Sequence, residues 1–167
     1  METRQYREEL RRAGRAALIG VAATAAMTLL MAVGLFRQGP AAFRPFPVEF
    51  VWRVFPTWGT LPLAIVATLI HFGYGAAAAA LFSFLARPMS VGRGIAYGLA
   101  LWVVMQICYV PVFMGWMEFG LGRGEPWSAL FTLLLHVTYG AVLGGLAARD
   151  ERNHHVAFDA LDRLRVY

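Results

Sequence analysis

The chain is predicted to be an all-α integral membrane protein, with four transmembrane helices arranged as two tandem hairpins. Three observations carry that prediction. First, 59% of the residues are hydrophobic and only 15% charged, a balance unlike that of soluble domains. Second, four stretches hold no charge: 21 residues between Arg15 and Arg37, 33 between Arg53 and Arg87, 24 between Arg93 and Glu118, and 23 between Glu125 and Arg149. A helix needs about 20 apolar residues to cross the hydrocarbon core. Third, these runs are continuous rather than alternating and rich in Ala, Leu and Gly, which argues against strands.

The first helix is placed at 15–36, after a basic tail over 1–14. It is too long for a signal-peptide core, and no polar mature domain follows it. An external loop over 37–60 comes next, with Pro40, Pro45, Pro47 and Pro56 set among Phe43, Phe46, Phe50, Trp52, Phe55 and Trp58. Proline breaks regular structure, and such aromatic residues favour the headgroup region. Residues 48–55 can form a short interfacial helix with Glu49 and Arg53 at i,i+4 spacing. The loop serves as a surface anchor, a lid or a docking surface. The second helix is placed at 61–86, the third at 93–115 and the fourth at 127–148. Pro111 should kink the external end of the third. Over 149–167 the tail can make a short amphipathic helix, with Ala157, Leu161 and Leu164 on one face.

All fifteen basic residues are arginine. Eleven fall in the N-terminal tail, the connection between helices two and three, and the C-terminal tail; the other four are Arg37, Arg44, Arg53 and Arg123. The positive-inside rule then puts both termini in the cytoplasm of a prokaryotic cell, with a multi-pass chain in its cytoplasmic membrane. The same distribution accounts for the net charge of +5 without nucleic acid as a partner. Cys108 is the only cysteine, so an intrachain disulfide is excluded.

The chain also repeats itself. Gly14, Arg15, Gly20 and Met27 match Gly92, Arg93, Gly98 and Met105 at a constant offset of 78. His71, Tyr74, Gly75 and Ala76 match His136, Tyr139, Gly140 and Ala141 at an offset of 65. Both halves begin and end on one side of the membrane, so the repeat is parallel, with its pseudo-twofold axis along the membrane normal.

The duplicated His-x-x-Tyr-Gly-Ala puts His71 and His136 near the bilayer centre, where Thr28 of the first helix and Gln106 of the third reach a similar depth. Ionisable groups at that depth are costly and raise a functional hypothesis. Three readings stand: a packing lock held by hydrogen bonds, axial ligation of a b-type haem, or a pocket for a quinone, small lipid or proton. In the last two, His71 and His136 are the binding residues, with Tyr74, Tyr139, Gln106 and Thr28 lining the site. His71/Gly75/Ala79 and His136/Gly140/Gly144 form stripes spaced by four, a pattern that lets helices approach closely and disfavours a macrocycle. No catalytic, metal or nucleotide-binding motif is present, so neither an enzyme nor a bound metal is expected.

The second half, GRGIAYGLALWVVMQ followed by LLHVTYGAVLGGL, resembles the small membrane proteins related to the YagU-like family of bacteria and haloarchaea. The resemblance covers residues 60–148 and marks His71, Tyr74, Gly75, His136, Tyr139 and Gly140. It implies about four helices and no reaction, since that family has no established activity. The expectation is therefore a non-catalytic accessory or interaction subunit, in lipid and in contact with other membrane subunits or itself, within a larger complex of respiratory or other energy-transducing type. The alternative is a cofactor- or small-molecule-binding protein; a transporter comes third, because no span holds an acidic residue.

Overall fold

The computed structural model describes residues 2–38, 46–108 and 126–164. Five helices follow in order: α1 over Glu2–Gln38, α2 over Phe46–Val54, α3 over Thr60–Leu85, α4 over Val91–Val104 and α5 over Pro126–Leu164. A wider π-type turn continues α4 over 105–108, and no strand occurs among the described residues. Four segments are long and apolar enough to cross a membrane: Gln5–Val33, Thr60–Leu85, Val91–Cys108 and Ala129–His154. They correspond to the four expected spans. Residues 109–115 of the third, with the expected Pro111 kink, lie outside the described residues, as do 39–45, 116–125 and 165–167.

Both terminal segments extend helices instead of hanging free. With 37 residues α1 is about 55 Å long, and with 39 residues α5 is about 58 Å, against a hydrocarbon core of about 30 Å. The tail expected over 149–167 is thus helical as far as Leu164, but as a continuation of α5 rather than a separate surface helix. The short loop helix is present as α2, where Arg53 Nε donates to Glu49 Oε1 at 2.8 Å. Its inner face buries Val51 against Leu63 and Ala67 of α3.

Local chemistry explains the link between α3 and α4. Arg87 precedes Pro88, and a residue before proline is pushed away from helical geometry; the preceding Ala86 is already extended. Ser90 then caps α4 by accepting a hydrogen bond from the Arg93 backbone N–H at 3.2 Å. The helices pack as α1 on α3, α4 on α5, and α1 on α5. A core of Ala23, Ala78, Ala79, Phe82, Tyr139, Leu143 and Ala147 fills the space where they meet.

Small residues set the distance of approach in both hairpins. A methyl group on Gly20 would stand 2.5 Å from Ala79 Cβ and 2.6 Å from the Gly75 carbonyl oxygen. A methyl on Gly94 would collide with the Gly140 carbonyl, and one on Gly98 with the His136 carbonyl. The two hairpins differ by one helical turn in register. The offset of 65 carries Gly75 and Ala79 onto Gly140 and Gly144. Gly20 faces the first pair, but Gly94 rather than Gly98 faces the second. In α1 the residue one turn before Gly20 is Ala16, so Gly20 is where the backbones come nearest.

Candidate functional site: a polar band across the bundle

His71 lies eleven residues into α3 and His136 ten into α5, each about 15 Å from its helix start. They are not bonded to each other; each is held by a different device.

His71 reaches across to α1, where its Nε2 lies 3.1 Å from Thr28 Oγ1. The Thr28 hydroxyl has one proton and donates it to the Thr24 carbonyl at 2.8 Å. Its oxygen therefore accepts from His71, which fixes the His71 proton on Nε2. Thr24 repeats the pattern one turn earlier, donating to the Gly20 carbonyl at 2.8 Å. A chain of three hydrogen bonds thus runs along the α1–α3 contact.

His136 instead turns onto its own helix, where Nδ1 lies 2.8 Å from the Thr132 carbonyl oxygen. A carbonyl can only accept, so Nδ1–H is the donor and the neutral ring keeps its lone pair on Nε2. The same turn of α5 is tied to α4, because Trp102 Nε1 donates to Thr132 Oγ1 at 3.1 Å.

Two tyrosines complete the band. Tyr139, buried in the core, donates to the Gly75 carbonyl at 2.6 Å and joins α5 to α3. Tyr97 donates to the Ala78 carbonyl at 2.8 Å and joins α4 to α3, with its ring against Phe82 at a centroid distance of 5.1 Å. Both use the second lone pair of a helical carbonyl, so a polar group is satisfied in the core without breaking a helix bond.

Of the six residues expected at the midplane, the structure brings His71 and Thr28 into direct contact. Tyr139 sits one turn beyond both histidine levels. Gln106 lies in the π-type turn and bonds neither histidine. Tyr74 is 51% exposed and bonds neither histidine. Sequence reasoning missed Tyr97, Trp102 and Thr132, all of which have side-chain partners on another helix; their signal was a polar atom inside a charge-free run. The Tyr139–Gly75 bond ties α5 to α3 through one side chain, within a turn of each histidine ring.

A second cluster closes one end of the bundle. Arg15 Nε lies 3.2 Å from Asp150 Oδ2, and Arg12 Nη2 lies 3.9 Å from Glu151 Oε1. The other oxygen of Glu151 accepts from the Met89 backbone N–H at 2.8 Å. Arg12 and Arg15 of α1, the α3–α4 link and the C-terminal extension of α5 therefore meet at the same end. Asp150 and Glu151 come just after Arg149, which bounds the fourth charge-free run, and their pairing with Arg15 and Arg12 was not anticipated from the sequence.

Among known proteins, a family of unknown function (DUF6789) matches residues 10–157, which include His71, His136 and all but the first few residues of the four membrane-length segments. The match draws no link to the YagU-like proteins. No curated protein and no solved structure matches the chain.

Proposed function

The chain belongs to this family of unknown function, and on that premise we propose that it is a non-catalytic membrane subunit that packs laterally against other helices of a larger assembly. Its place is the prokaryotic cytoplasmic membrane, with both termini inside, as the eleven-to-four arginine asymmetry indicates. The observation that carries the reading is Tyr74. It lies near the middle of α3, half-exposed, with no hydrogen-bond partner for its hydroxyl among the described residues. An unpartnered phenol O–H at this depth is penalised, and a helix from a neighbouring subunit or a second copy relieves that cost. Gly73 beside it is open, so a Cβ there would touch nothing, and a neighbouring backbone can approach.

Extraction of the full chain in mild detergent, followed by size exclusion and mass spectrometry of the peak, tests this. Co-elution with other membrane proteins, or at multimer size, is the expected result, weakened by Tyr74→Phe. Elution as a single chain that ignores Tyr74→Phe sinks the proposal.

A second reading follows from the Nε2 lone pair of His136, which can accept a hydrogen bond from a quinol or lipid hydroxyl. A small molecule co-purifying in stoichiometric amount, and lost in His136→Ala, would favour it.

A further inference from the structure

We propose that the groove between the end of α3 and the start of α4 binds the headgroup of one anionic phospholipid. The groove encloses about 390 Å³. Leu85, Ala96 and Tyr97 line it with apolar surface over the buried Phe82, the exposed Arg87 and Arg93 line it as well, and no acidic residue does. It opens at the end of the bundle that carries the arginine–carboxylate cluster, where α3 gives way to its first charged residue. That is the depth at which a phosphate meets the acyl chains.

Charge bookkeeping favours an anion there. Of the carboxylates near this end, Asp150 is engaged with Arg15, and Glu151 with Arg12 and the Met89 N–H; neither lines the groove. Arg93 Nη1 donates to the Pro88 carbonyl at 2.7 Å, which holds the guanidinium over the groove and leaves further N–H donors for a phosphate. Apolar walls beneath two cations suit a phosphodiester with acyl chains. A free anion would use the arginines and gain nothing from the exposed Leu85. Arginines near a membrane surface contribute about 1 kcal/mol each toward anionic lipid.

The test is thermal unfolding of the full chain in detergent, followed by tryptophan fluorescence, as phosphatidylglycerol, phosphatidylcholine or inorganic phosphate is added. Phosphatidylglycerol should raise the midpoint saturably, and phosphatidylcholine should not. Arg87→Gln should weaken the apparent affinity about fivefold, which is ~1 kcal/mol. Arg149→Gln, an exposed arginine at the same end but outside the groove, should leave it unchanged. An equal response to phosphatidylcholine, an equal response to phosphate alone, or equal losses in the two variants would each overturn the site. Arg93→Gln is a useful addition only if it folds, since it also removes the bond to Pro88; Arg87→Gln decides without it.

Discussion

Tyr74 and Tyr139 hold the same place in the two His-x-x-Tyr-Gly-Ala stretches, yet one is half-exposed and the other is buried in the core. Tyr139 bonds a backbone carbonyl of another helix, so Tyr139→Phe should cost the isolated protein about 1 kcal/mol. Tyr74→Phe should cost it nothing in detergent. Denaturant or thermal unfolding of the two variants side by side checks this, and equal losses would contradict the placement. His71 and His136 diverge in the same way. Thr28→Val removes the partner that fixes the His71 proton and should lower stability by about 1 kcal/mol, with no change in any bound ligand. The presence of polar groups at mid-membrane depth was legible from their position in charge-free runs. Their bonds were not, because a hydrogen bond depends on a helix rotation of tens of degrees that spacing along one helix leaves open.

At the level of elements, the glycine stripes decide which faces meet. Gly98→Leu or Gly140→Leu would push a side chain into a facing backbone, so neither should yield a folded, monodisperse protein in detergent. Gly98→Ala should fold with a loss of about 1–3 kcal/mol. Gly73→Leu should be tolerated by the isolated chain, since space is open there; a well-behaved Gly98→Leu would refute the packing described for α4 and α5. The stripes themselves stood in the sequence as residues spaced by four. The one-turn shift between hairpins did not, because alignment offsets report ancestry while contact register reports where two backbones can come closest. Gly20 makes that approach in α1, and Gly94 makes it in α4.

For the molecule as a whole, the carboxylates at the start of the α5 extension tie three separate parts of the chain together. Glu151→Gln keeps an acceptor for the Met89 N–H and loses only a 3.9 Å ion pair with Arg12. A partly exposed pair of that length contributes little, so the cost should be a few tenths of a kcal/mol. Glu151→Ala loses the backbone bond as well and should cost about 1–2 kcal/mol. Unfolding midpoints of the two variants at low and high salt separate the contributions, since only the ion pair is screened. Equal effects of the two substitutions would mean that the Met89 bond does not hold the link.

The sequence by itself determined that this chain crosses a membrane four times and that its halves are alike, because both follow from where charge is absent and where residue types recur. Even the loop helix α2 and its Glu49–Arg53 pair were readable, since i,i+4 neighbours meet within any helix. Only the tertiary structure decided that His71 bonds α1 while His136 bonds its own helix, that one repeat tyrosine is core and the other surface, and that Arg87 and Arg93 share a groove. Those outcomes depend on which faces of four similar apolar helices turn inward. In lipid, where an apolar face gains nothing by turning away from its surroundings, small-residue contact and polar satisfaction make that choice, and both are properties of helix pairs.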